Sequence, residues 1–333
     1  MAATSTTETW DAAWTLTMRA KRKELTDNFF DAYPTLDMFR SGGALVTDNG
    51  GKEIQCDLMY SGNSAQYFSG YDVLNTDAVD GITAAFYPFR YAAVPITINY
   101  TEEMENRKSD SAMRLLAAKT EQSMLTLRDQ INASIYSAQT GKAPLGFQDI
   151  IADAPGTTPT TLGGITVSSN TWWKNKEFDF DATYGSNGFR GITGTNFYQG
   201  MLAMASLWND VSEGNEQPTN IFTNNTIYAQ FEEIFEGTGY QRLSSNDAPG
   251  VDGRLPSFRG IPVQYDRDCA SDKMYFLNTK YLKMHMQAGM NFAKTPFKEP
   301  SNQMAKVGFI VVGLQITTNN RRRQGVIHDL VAS

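Results

Sequence analysis

The chain has two histidines, His285 and His328, so a Ser-His-Asp or Cys-His site would have to use one of them. Neither lies in a Gly-flanked nucleophile motif, and both fall in or beside alternating, strand-like runs, so a structural role is expected for each. The acidic pairs Glu102-Glu103 and Glu232-Glu233 occur within helical periods. They read as solvated helix faces, not as a carboxylate dyad. The stretch from Gly185 to Gly194, with Gly188 and Gly191 inside it, lacks the strand-to-helix setting and the Lys-Ser/Thr ending of a phosphate cradle. Asp252-Gly253 lacks the alternating acidic residues of a calcium loop and reads as a turn. Cys56 and Cys269 are too few and too far apart for a disulfide framework or a structural zinc site, and both are expected reduced and packed. No catalytic, cofactor-binding or metal-binding residue is assigned, and no cofactor is expected.

Charge narrows the class further. With 29 Lys and Arg against 36 Asp and Glu, a net −7, the chain is not built to grip DNA, because phosphate neutralisation needs concentrated cations. Two basic clusters stand out, Arg19, Lys21, Arg22 and Lys23, and then Arg321, Arg322 and Arg323. Each is expected to be a solvated face or an inter-subunit salt bridge. No apolar run reaches the roughly 18 residues of a membrane span, and Met1 to Trp10 lacks a signal-peptide pattern. No membrane contact is expected, and the product should stay in the cytoplasm where it is made. Hydrophobic content of 41%, with 20% charged residues over 333 positions, suits one large globular domain or two smaller ones.

Periodicity defines the elements. Trp10, Trp14, Met18, Leu25 and Phe29 share one helical stripe, expected to stop before Pro34, and Ser41-Gly42-Gly43 breaks that segment from the next. Ile54, Cys56, Leu58 and Tyr60 alternate with polar residues as in a half-buried strand. Val94, Ile96, Ile98 and Tyr100 alternate again, with Pro95 marking an edge strand. These two strands, separated by a polar Gly-bearing stretch, look like one extended hairpin that needs a partner surface. A charge at Ile54 or Ile96 would then block that contact and spare the core.

From Thr101 to Thr140 there is no Gly or Pro, and Leu116, Thr120, Met124, Leu127, Ile131 and Ile135 repeat at helical spacing. One helix of roughly 57 Å is expected, stopped at Gly141. The middle of the chain predicts two helices, one opened by Thr195 and carrying Phe197, Met201, Met204, Leu207 and Trp208, the other from about Thr226 to Glu236 with Tyr228, Phe231 and Phe235, ended by Gly237. Ile221-Phe222-Thr223 reads as a buried strand. Leu282, Met284 and Met286 alternate, Val307 to Ile316 reads as a strand buried on both faces, and Asn319-Asn320 marks a turn.

This order resembles the HK97-like major capsid proteins of tailed bacteriophages, an α+β fold. Three phrases carry the likeness locally. They are Gly163-Gly164-Ile165 leading to Thr171-Trp172-Trp173-Lys174-Asn175, the run Phe276 to Leu282, and Thr318 to Gly325. The resemblance implies an N-arm (1–45), an E-loop hairpin (46–100), a P-domain (101–142 and 273–333) with a long spine helix, and an A-domain (143–272). It implies a non-enzymatic coat protein that assembles with itself into hexamers and pentamers of an icosahedral head, located in the virion and assembled in the host cytoplasm. Portal, scaffolding or decoration proteins are implied partners, with only weak, non-specific contact to packaged double-stranded DNA. The chain opens on the arm-like helix, so a separate scaffolding protein or none is expected. Some members cross-link an E-loop lysine, but Lys52 lies at the base of the expected hairpin and no other Lys stands between it and Arg90, which speaks against that bond here. The alternative of the same fold is an encapsulin-type compartment shell. A carbohydrate-active or carbohydrate-binding protein, suggested by five Trp and fifteen Tyr, is disfavoured because no carboxylate pair stands in context.

Overall fold

The computed structural model describes residues 33–77, 79–105, 109–185, 188–193, 197–237 and 257–330. The stripe from Trp10 to Phe29, the first basic cluster, Thr195 and Asp252-Gly253 lie outside these residues. In chain order the elements begin α1 (Pro34–Ser41), β1 (Leu45–Asp48), β2 (Glu53–Met59), β3 (Ile82–Pro88), β4 (Arg90–Asn99), α2 (Tyr100–Glu105) and α3 (Ser109–Tyr136). They continue α4 (Phe147–Ile150), β5 (Thr161–Leu162), β6 (Ile165–Thr166), β7 (Lys176–Asp179), α5 (Phe180–Tyr184), β8 (Ile192–Thr193), β9 (Phe197–Tyr198) and α6 (Gln199–Val211). The rest are β10 (Asn220–Thr223), α7 (Asn225–Gly237), β11 (Ser257–Phe258), β12 (Ile261–Tyr265), β13 (Met274–Leu277), β14 (Leu282–Gln287), β15 (Ala293–Lys294), β16 (Ala305–Thr318) and β17 (Gly325–His328).

Pro34 opens helix α1. Its missing N–H costs nothing at the first helical position. The expected breaker at Gly42 does end that helix.

The long helix is present as α3, with Leu116, Thr120, Met124, Leu127, Ile131 and Ile135 all buried on one stripe. Its 28 residues span about 42 Å and stop at Tyr136, short of Gly141. What meets its end is Gly146, where a Cβ would fall 1.8 Å from the Ser137 carbonyl oxygen. No side chain fits that approach, so the chain turns there and is fixed by Asp149, whose Oδ2 accepts from Gln139 N at 2.6 Å.

Two sheets flank this helix. In the five-stranded sheet β16 is central, with β4 antiparallel along one side and β14 and β15 end to end along the other; β1 adds parallel to β14. β4 is an edge strand, as Pro95 requires. α3 lies against it, and Lys119 Nζ donates to Thr97 O at 2.8 Å. β16 is buried on both faces only from about Val312 onward; nearer its start Phe309 is exposed.

The second sheet runs β11-β12-β10-β13-β17-β7. Its inner strands are apolar without alternation because each face meets a different core. Ile221, Met274, Phe276 and Ile327 pack with Met204, Leu207 and Phe231 of α6 and α7. Phe222, Tyr275, Leu277 and Val326 join the larger core containing Ile131, Ile135 and Tyr136. The sheet is thus a wall between two cores, and the segment after 273 supplies strands to both sheets. The helices expected in the middle of the chain appear as α6 and α7, except that α6 begins at Gln199 and Phe197 lies in strand β9 before it; α7 is capped by Asn224, whose Oδ1 accepts from Ile227 N at 2.9 Å.

Candidate assembly surface

The expected strand from Lys52 to Tyr60 forms as β2, but its partner is not the run from Val94 to Tyr100. It pairs antiparallel with β3, Ile54 opposite Tyr87 and Leu58 opposite Thr83, while the later run, as β4, pairs with β16. Ile96 and Ile54 both belong to the large core. The hairpin base is therefore held by its own subunit, contrary to the expectation that only a neighbour could hold it.

Beyond the base the picture reverses. The described residues between 61 and 80 form no strand or helix, and Tyr67, Tyr71 and Val73 are essentially fully exposed, with Phe68 at 66%. Met59, Ile82 and Phe86 add apolar surface on the outer face of the two strands. Exposed single hydrophobes are ordinary, but this concentration on one projection is the composition of a contact surface.

The three phrases singled out in the sequence meet behind this hairpin. Arg321 is fully buried, and its Nε donates to Ile150 O at 2.7 Å. Its remaining nitrogens donate to Trp173 O, Asp149 O and Asn175 Oδ1 at 3.0 to 3.1 Å. Burial pushes this guanidinium down to about 10, which leaves it a cation at neutral pH. Gln324 and Asn278 form a reciprocal pair, Asn278 N to Gln324 Oε1 at 2.8 Å and Gln324 Nε2 to Asn278 O at 2.9 Å. Tyr87 of β3 donates to Thr318 O at 2.9 Å. The basic run is thus not one solvated face. Arg321 is a structural tie, Arg323 reaches Glu213 and the Val211 carbonyl, and only Arg322 is exposed.

The other residues weighed for chemistry have structural surroundings. His285 Nδ1 faces Asp48 Oδ2 at 2.6 Å, tying β14 to β1. His328 lies between Asp329, 2.8 Å from its Nδ1, and Glu177, 3.5 Å from its Nε2. Asp179 completes a group at the ends of β7 and β17. Glu102 pairs with Lys119, which holds its carboxyl below the usual range, and Glu233 pairs with Arg190. Cys269 is buried and Cys56 half-buried, both as free thiols. Lys52 lies at the hairpin base, where its carbonyl accepts from Phe89 N at 3.4 Å. No helix among the described residues is long and apolar enough to cross a membrane.

No family model matches the sequence, nor does any curated protein. Solved structures do. A chain of the cyanophage A-1(L) capsid asymmetric unit superposes with a TM-score of 0.66 at 16% identity, covering 90% of this chain and 93% of that one. A chain from the capsid of a native GTA particle gives 0.60 at 11% identity over 88% and 90%, and one from the capsid of Myoviridae phage XM1 gives 0.56 at 11% over 88% and 92%. With the likeness running over nearly the full length, and with a long helix, two sheets and a projecting hairpin in place, this α+β chain has the HK97-like capsid fold.

Proposed function

We propose that the chain is the major capsid protein of a tailed bacteriophage, a structural subunit without catalysis that assembles with copies of itself into the hexamers and pentamers of an icosahedral head. One observation carries this reading beyond the fold, which hosts more than one function. Tyr67, Phe68, Tyr71, Val73 and Leu74 stand exposed on a projection that no other described part of the subunit covers. Burying such surface on an adjacent copy supplies the association energy, repeated at every contact of the shell. In this reading residues 46–100 include the E-loop and 101–142 the spine helix. The protein resides in the virion after assembly in the host cytoplasm, beside portal and scaffolding or decoration proteins. Contact with packaged double-stranded DNA is weak and non-specific, in keeping with the net −7.

Electron microscopy and sedimentation of the purified protein test this directly. Closed shells, or hexamers and pentamers, are expected. A monodisperse monomer across concentration and salt would remove the reading. Nuclease-protected DNA inside particles supports the phage head, whereas particles filled with a single protein cargo would favour a compartment shell.

A further inference from the structure

The Gly163–Asn175 phrase folds into a device for which assembly as such gives no reason. Gly163 and Gly164 both take positive φ, +62° and +81°, the combination a two-residue turn between β5 and β6 demands. Gly164 is exposed, but Gly163 meets β3. Gly163 O accepts from Phe86 N of β3 at 3.0 Å, and a Cβ on Gly163 would fall 2.8 Å from the Ala85 Cβ. A few residues on, Trp172 stacks on Tyr60, centroids 4.9 Å apart and planes 18° apart, and its indole N–H donates to Asn170 Oδ1 at 3.1 Å. Tyr60 is where the hairpin ends, its N–H donating to Gly81 O at 2.9 Å. The same segment is fixed from behind by Arg321, which donates to Trp173 O and Asn175 Oδ1.

We propose that residues 161–173 act as a brace that sets the direction in which the apolar projection 61–80 leaves the subunit, with Trp172 as its positioning residue. The two grips lie on both strands of the hairpin, the turn at Phe86 of β3 and the indole at the end of β2. A two-stranded hairpin held at its buried root alone would rock. A second grip at its end fixes the angle. The inference rests on reading the projection as the contact element between copies.

Amide exchange on the free full-length subunit tests the brace independently of assembly. In Trp172→Ala the amides of Tyr60 and Phe86 should exchange about tenfold faster while those of α6 and β10 stay unchanged. Trp172→Phe, which keeps a ring to stack, should restore most of the protection. Under assembly conditions Trp172→Ala should give fewer and misshapen particles. Unchanged exchange at Tyr60 and Phe86 overturns the brace, as does equal loosening across the whole fold. Should Trp172→Ala fail to fold, Tyr60→Ala removes the same stack from the exposed side and must give the same local loosening. Absence of particles from the wild-type protein would instead overturn the capsid reading, and the exchange result would still decide the brace.

Discussion

Arg321 shows how far one residue's role can lie from its composition. Three consecutive arginines read as a solvated or inter-subunit cluster, since charged runs ordinarily stay in water. Burial of one costs desolvation, offset here because its planar fork meets three backbone carbonyls and Asn175 Oδ1, which also accepts from Ala152 N at 3.1 Å. Removing it takes this donor away from the three carbonyls. Arg321→Ala should therefore lower subunit stability by ~3 to 5 kcal/mol. Arg321→Lys should recover little, because a point charge with three donors cannot match the fork. Arg322→Ala should change stability by less than about 0.5 kcal/mol. Urea denaturation of the three variants checks this, and similar losses at 321 and 322 would show that the tie carries no special weight. Periodicity cannot find Arg321, because its partners are backbone carbonyls and an amide more than 140 residues upstream.

At the scale of elements, what is legible in the sequence is what one subunit buries. The α3 stripe, the alternation of β2 and the apolar run of β16 declare an inside and an outside within one chain. β3 escapes notice for the converse reason. Its inward residues are Ala85 and Tyr87, but Ile82 and Phe86 on its outer face are apolar too, so the period-two contrast vanishes. With β3 hidden, the next clear strand after β2 is β4, and the two look like partners. The true pairing of the hairpin changes which substitutions separate folding from assembly. Ile96 is 1% exposed within the large core, so Ile96→Asp should destabilise the subunit itself by on the order of 4 kcal/mol. Phe68→Asp and Tyr71→Asp, placed on the exposed projection, should leave stability within about 0.5 kcal/mol and abolish shells. Circular dichroism paired with sedimentation reads both halves. Normal particles from Tyr71→Asp would remove the projection from the contact surface.

For the molecule as a whole, the larger core fills with groups that must stay neutral, and this gives the subunit a limit on the alkaline side. Tyr87, Tyr136 and Tyr275 are buried, and desolvation raises each phenol well above its ordinary value of 10.0. Burial likewise lifts the Cys269 thiol far above 9.0, with Asp266 adding to it. Each group keeps its proton in the folded state after the unfolded chain has lost it. Stability from these groups is complete below about pH 9 and is lost as pH rises, each contributing a slope of about 1.4 kcal/mol per unit once its unfolded form ionises. Arg321 works in the opposite sense. Its folded value lies near 10, below the ordinary 12.5, so above about pH 10 the unfolded chain binds the extra proton and that single contribution grows with pH. Three phenols and a thiol outweigh one guanidinium. The melting temperature of the free subunit should therefore hold steady to about pH 9, begin to fall as the thiol's unfolded form ionises, and fall more steeply beyond about pH 10. Cys269→Ala offers the internal control. Whatever it costs in packing, it should flatten the first part of the decline and leave the steeper part in place. Calorimetry from about pH 8 to about pH 11 decides the matter, and a curve with no decline, or a Cys269→Ala curve parallel to wild type below about pH 10, would show that these groups are not held neutral by the fold.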